Sequence, residues 1–324
     1  MTKYFLFLLL ASTLLSCNQD RNKNIFPNQV IAPAPPPPPP PIVEPPVPPP
    51  TSPEPAPKPS QADATAKSTP KPAPSIAQPP SSPNSLYQRF PIPTGYKRLA
   101  VNSGSFGEYL RALPLKPEGS KIGVFNGTEL GGANIHAAVV DLPIGNKDLH
   151  QCADAVMRLR AEYFWSQKRY KDIHFNFTNG MRVDYDKWRQ GYRIKVNESK
   201  TKTSWQLTAK PDDSYESFWK YMEQIFMFAG TASLSKELGT RRYADMRIGD
   251  VLIIGGFPGH AVIIVDMAKH IETGEKIYMV AQSFMPAQDL HIITSTEEFS
   301  PWYRLDKRPN LTSWGFEKSH LKHF

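Results

Sequence analysis

The stretch Gly249-Asp-Val-Leu-Ile-Ile-Gly-Gly-Phe-Pro-Gly-His260-Ala-Val-Ile-Ile-Val-Asp266 decides how the folded part of this chain is read. The apolar run from Val251 to Ile254 meets a glycine-rich turn, and a histidine then opens a second apolar run. Short apolar runs bounded by Gly and Pro are the pattern of buried strands. Similar runs at residues 276–283 and 290–294 extend the pattern, so the last third of the chain is expected to be an antiparallel strand meander. Gly255, Gly256 and Gly259 precede no helix, which argues against a phosphate-binding loop.

Working back from that stretch, the periodicity changes. Over residues 148–167, Leu149, Cys152, Val156, Leu159 and Tyr163 share one helical face, with Asp148 as the expected N-cap. Residues 213–229 predict a second amphipathic helix stopped by Gly230, and residues 231–238 a shorter one closed by Gly239. Ser105-Phe-Gly-Glu108 has the form of a capping box, placing a helix over residues 105–113. Strands are expected at residues 121–125, 134–142, 173–177 and 192–196, with Thr178-Asn179-Gly180 as a turn. Helices first and antiparallel strands last predict an α+β domain rather than a doubly wound sheet.

Towards the N-terminus the composition shifts completely. Between Asn18 and Thr94 large apolar residues are almost absent, and prolines dominate, including the unbroken run from Pro35 to Pro41. Such a segment cannot bury enough surface to offset its ordering entropy, and proline biases it to polyproline II. It is therefore expected to be a disordered, semi-rigid tether with a reach on the order of 200 Å at ~3.1 Å per residue. Before it, Lys3 and the apolar run from Tyr4 to Leu10 have the layout of an export signal too short to span a bilayer. The run ends in Leu14-Leu15-Ser16-Cys17, which resembles the bacterial lipobox. The resemblance implies cleavage before Cys17, lipidation of its thiol and anchorage to a lipid bilayer. Asn18 in place of Asp favours the outer membrane, facing the periplasm. The expected organisation is thus a signal peptide at 1–16, a lipidated cysteine and tether at 17–94, and one globular domain at 95–324.

The formal net charge is +8, spread along the chain without a basic helix, and nucleic acid is a poor partner for an exported protein. Oligomeric state is not legible. His136, His150, His174 and His291 show no metal-ligand spacing, so no metal or cofactor is expected. Asp154 and Asp266 could serve as acid/base groups, but carboxylates on a helix surface or at a strand end are common. Trp188, Tyr192, Trp205, Trp219, Trp302 and Trp314 could line a sugar groove, with core packing as the plainer account.

With Cys17 assigned to lipid, Cys152 is the one cysteine left. It falls in the first turn of a helix, where unpaired N–H groups and the helix dipole favour a thiolate. A nucleophilic thiol needs a base from elsewhere in the chain, and His260 is the candidate, with Gln282 on the next strand to orient its ring. Each residue also has a structural account, as a small core cysteine or a strand-end histidine bonded to backbone.

This arrangement resembles the papain-like cysteine hydrolases of bacterial walls, the CHAP amidases and NlpC-type peptidases. That resemblance covers residues 148–284 and implies Cys152 as nucleophile, His260 as general base and acid, and Gln282 as orienter. The Cys152 amide would help form the oxyanion hole, with Gln151 and Ser283 in support. It also implies an insertion near residues 175–209. Over the whole domain the chain is similar to the bacterial lipoprotein family known as domain of unknown function 4846. The segments carrying this are residues 151–163, Gly230-Thr-Ala-Ser-Leu234, the His260 stretch and Ala281-Gln-Ser-Phe-Met-Pro-Ala-Gln288. The expectation is a membrane-tethered cysteine amidase or peptidase acting on peptidoglycan or a related peptide. The alternatives are a non-catalytic envelope module that binds glycan or a partner protein, and an inactivated papain-like scaffold.

Overall fold

The computed structural model describes residues 83–130, 135–197 and 202–324. The expected signal peptide, Cys17 and nearly all of the tether lie outside them. The boundary expected at residue 95 needs correction, because folded structure begins about ten residues earlier. Ser85 caps a short helix, Leu86–Arg89, and Leu86 is fully buried. Arg98, on the strand Tyr96–Arg98, places Nε 2.7 Å from Asp266 in the sheet. Arg111 meets the other oxygen of the same carboxylate at 2.7 Å. Asp266 is fully buried and therefore depends on this pairing. The proline-rich composition hid the boundary: Pro91 and Pro93 continue the tether's pattern into chain that already packs.

The molecule is an α+β domain built on a large antiparallel sheet. Nine strands pair in it among the described residues. The central path runs His136–Val139, His291–Ile293, Lys276–Gln282, His260–His270, Val251–Ile254, Leu321–His323 and Gly239–Thr240. Tyr96–Arg98 and Tyr303–Arg304 pair with the two longest strands at their far ends. The expected meander is therefore present, and the quoted stretch is its middle, with Ile254 opposite His260 and Val251 opposite Ile263.

Strand alternation divides the core in two. Val251, Ile253, Ala261, Ile263, Val265, Ala281 and Ile292 point to one face, where the helices Cys152–Ser166, Phe106–Arg111 and Thr231–Glu237 pack on the sheet and Tyr215–Phe228 packs on the first of them. Leu252, Val262, Ile264, Val280 and Ile293 point to the other, where Tyr243, Leu305, Leu311 and Phe316 close over them. The central strands are thus buried on both faces, which is why they read as continuous apolar runs. Burying each such side chain stabilises the fold by roughly 1.5–3 kcal/mol.

The helix Tyr215–Phe228 starts where expected, with Ser214 Oγ accepting the N–H of Ser217 at 3.2 Å. The helix carrying Cys152 starts later than expected. Its N-cap is Gln151, and Asp148 is drawn away because its Oδ1 accepts the N–H of Ala287 at 2.7 Å. Asp154, inside the first turn, takes the Gln151 N–H at 3.0 Å instead. Residues 175–209 carry a short helix, Tyr185–Arg189, between two antiparallel pairs, His174–Asn176 with Arg182–Asp184 and Tyr192–Val196 with Thr203–Leu207. Phe175, Phe177, Val183, Tyr185 and Trp188 sink into the core on the helical side, so this segment is part of the domain's packing. Among the described residues no helix is long and apolar enough to cross a membrane.

Candidate active site

Three segments converge at one end of the sheet: the start of the His260–His270 strand, the end of Lys276–Gln282, and the N-terminus of the Cys152–Ser166 helix. The turn before His260 owes its glycines to close packing. A Cβ on Gly255 would lie 2.0 Å from Ser235 Oγ, and one on Gly259 would lie 2.4 Å from Thr231 Oγ1. The helix Thr231–Glu237 therefore presses on this turn, and Thr231 Oγ1 donates to the Gly256 carbonyl at 3.1 Å. In this way the turn fixes where His260 leaves the loop and enters the sheet.

Cys152 is the first residue of its helix and is half-buried. Burial is the largest influence on its thiol and pushes its pKa up. The backbone N–H groups of Ala261, Ala153 and Cys152 itself favour the thiolate and pull the other way. Burial wins, so the thiol is protonated at neutral pH. This corrects the expectation of a thiolate from helix position alone: the helix terminus supplies its N–H groups, but the low-polarity setting outweighs them.

His260 is 1% exposed. Its Nε2 lies 2.8 Å from Gln282 Oε1, the pairing expected of an orienting amide. Ring centroids of Phe284 at 4.9 Å and Trp314 at 5.1 Å enclose it. Burial pushes its pKa down to about 4, while the Gln282 hydrogen bond resists that shift. Ser313 Oγ also donates to Gln282 Oε1, at 2.8 Å, so residues from the C-terminal part of the chain form a roof over the pair.

Ala261 faces the helix that begins at Cys152; His260, one residue earlier, faces the Trp314 and Phe316 side. Among the described residues no hydrogen bond joins the Cys152 thiol to the His260 ring. His260 opens its strand, and its ring leaves the sheet on the face opposite Ala261 and the Cys152 helix.

The two residues assigned a supporting role are committed elsewhere. The Gln151 side-chain nitrogen donates to Asp148 Oδ1 at 3.1 Å. Ser283 Oγ lies 2.9 Å from the His150 carbonyl and 2.7 Å from that of Gln288, tying the chain before Cys152 to the loop after Gln282. Both side chains are thus tied to neighbouring segments of chain.

Sequence reasoning missed His291, Ser313 and Trp314 as part of this constellation. His291 stands opposite Gln282 in antiparallel register, and its Nε2 is 3.2 Å from the Gln282 side-chain nitrogen. Pairing the expected strands 276–283 and 290–294 would have brought it to light; nothing local marks the roof residues. The tryptophans do not share a groove. Trp188 and Trp302 are core, whereas Trp219 carries the Arg158 guanidinium 4.6 Å from its ring centroid. Among the described residues no three His, Cys, Asp or Glu side chains gather as a metal site.

Fold and site together define an α+β protein that carries, among the described residues, one thiol at a helix N-terminus and a buried imidazole–amide pair at the same end of the sheet. The chain belongs to the family described as domain of unknown function 4846, whose model matches residues 86–323. No curated protein and no solved structure matches the chain. The four family segments meet around Cys152 and His260. They supply the cysteine helix, the helix that presses on the glycine turn, the His260 strand, and the strand and loop holding Gln282.

Proposed function

We propose that this domain is a papain-like thiol hydrolase of the bacterial cell envelope, anchored through lipid on Cys17 and cleaving an amide bond in peptidoglycan or a related peptide. The supporting observation is the pairing of His260 Nε2 with Gln282 Oε1, next in the strand to Ala261, which faces the helix that Cys152 begins. A side-chain amide oxygen only accepts, so His260 carries its proton on Nε2 and presents a bare Nδ1. In the reaction the Cys152 S–H proton passes to Nδ1 as sulfur bonds to the substrate carbonyl carbon. The helix-terminal N–H groups take up the developing oxyanion charge. The carbon–nitrogen bond then breaks and the imidazolium returns the proton to the leaving amine. A water deprotonated by Nδ1 then attacks the thioester carbon, the carbon–sulfur bond breaks, and the imidazolium returns its proton to the Cys152 sulfur. Because the thiol and imidazole are both neutral at rest, proton transfer accompanies attack.

The test is incubation of the full chain with purified peptidoglycan. Release of muropeptides by wild type and its loss in Cys152→Ala supports hydrolysis; identical profiles with the two proteins sink it. Mass spectrometry of the membrane-extracted protein tests the anchor, which requires a diacylglycerol adduct on Cys17.

The roof over His260 and the raised thiol pKa favour a second reading, a non-catalytic module that binds glycan or a partner protein. A cleft of about 400 Å³ lined by Lys171, Asp184, Asp186, Lys187, Gln190 and Tyr192 would serve it. Peptidoglycan pull-down by both wild type and Cys152→Ala, without cleavage, would select this reading.

A further inference from the structure

We propose that His291 is a positioning residue that orients the Gln282 amide, so that its oxygen faces His260 and holds that ring in the tautomer with a bare Nδ1. This rests on the reading of His260 as the base and deepens it. The argument starts at a backbone carbonyl. His291 Nδ1 lies 2.9 Å from the Asp289 carbonyl oxygen, which can only accept, so Nδ1 carries a proton. His291 is 2% exposed, and burial pushes its pKa down to about 4, with His136 and His260 adding to the depression. The ring is therefore neutral and its Nε2 bare. A bare Nε2 needs a donor, and the Gln282 side-chain nitrogen at 3.2 Å supplies it. The amide oxygen is then left to face His260 Nε2 at 2.8 Å and Ser313 Oγ at 2.8 Å, both donors.

The reversed amide fails at His291. Its oxygen would require a proton on His291 Nε2, leaving a bare Nδ1 against the Asp289 carbonyl, two acceptors in contact. On the other side its nitrogen would require an acceptor at His260 Nε2, which moves the His260 proton to Nδ1 and removes the base. The starting carbonyl is itself fixed, because the Asp289 carboxylate holds Lys116 Nζ at 2.7 Å and the Gly123 N–H at 2.8 Å. Backbone pairing of Gln282 with His291 keeps the two side chains on one face. One fixed carbonyl thus sets the proton position on a ring two side chains away.

The experiment is long-range proton–nitrogen NMR of the full chain labelled with nitrogen-15 at histidine, with resonances assigned by substitution. Wild type is expected to show His260 as the Nε2–H tautomer between pH 6 and 8. His291→Phe, which keeps the ring volume but offers no acceptor, is expected to give a mixture of tautomers. His291→Gln, whose side-chain oxygen can accept from the Gln282 amide, is expected to restore Nε2–H. Where peptidoglycan cleavage is measured, His291→Phe should lower kcat by at least about tenfold with KM little changed, because a wrong tautomer disables the base without altering binding. An Nδ1–H tautomer in wild type overturns the proposal, as does an unchanged tautomer in His291→Phe. If both variants unfold, the wild-type tautomer alone decides. Absence of cleavage by wild type sinks the hydrolase reading but leaves the tautomer result standing, so the two failures are separable.

Discussion

Ala261 faces the helix that Cys152 begins, whereas His260, one residue earlier in the strand, faces Trp314 and Phe316 on the other side of the sheet. The Cys152 thiol is governed by burial more than by charge. In this respect the site differs from a preformed thiolate–imidazolium pair.

A slow thiol follows. Burial raises the Cys152 pKa, so the thiolate fraction at pH 7–8 is smaller than that of a free cysteine in solution. Alkylation by iodoacetamide, followed by mass spectrometry of the Cys152 peptide, should be slower than for glutathione at pH 7.5. Its rate should still be rising at pH 9. A plateau reached below pH 7 would show that a thiolate is already formed.

Gly259 should tolerate no side chain. A Cβ there would approach Thr231 Oγ1 at 2.4 Å, the Gly256 carbonyl at 2.6 Å and the Ile254 carbonyl at 2.7 Å, and two of these are backbone atoms that cannot swing aside. Gly259→Ala is expected to destabilise the domain by about 1–3 kcal/mol in urea unfolding. Gly104→Ala, where nothing lies within 4 Å but φ is +70°, should cost about 1 kcal/mol, the strain of the backbone alone. Equal costs would show that close packing of the turn is not what requires glycine.

Acid should weaken the fold through its buried histidines. Burial lowers the pKa of His150 to about 3 and those of His260 and His291 to about 4. Unfolded histidines take up protons near pH 6.5, so between there and about pH 4 the unfolded chain binds more protons at these sites than the folded one. Their contribution to stability is complete above pH 6.5 and is lost as pH falls through this window. Asp250, raised to about 6, and Asp154, raised well above its ordinary value, run the opposite way and offset part of the loss. Thermal unfolding of wild type and His150→Phe should therefore converge or cross as pH drops from 7 to 5. A constant difference across that range would contradict the histidine assignment.

Much of this architecture was legible because strands buried on both faces cannot hide. Residues 251–254, 260–267 and 276–283 announced themselves as apolar runs, and His260 and Gln282 came with them as strand ends. Register, by contrast, depends on partners far apart in sequence. His291 became part of the site only when Leu290 to Thr294 was laid beside Gln282, and Ser313 and Trp314 arrive from an irregular segment without periodicity. The start of the Cys152 helix was misplaced for a related reason: the Asp148 carboxylate is occupied by Ala287, a contact between residues well over a hundred positions apart. The thiol's protonation state was missed because helix position is visible in sequence and burial is not.

The roof over His260 has a thermodynamic consequence. Gln282 Oε1 is shared between His260 and Ser313, so any motion that lifts the Ser313 segment withdraws one of its two donors. The remaining acceptor capacity then goes to His260 alone. Exposure of the imidazole and the strength of its anchoring are therefore linked quantities, and by reciprocity whatever tightens the His260–Gln282 bond favours the uncovered state.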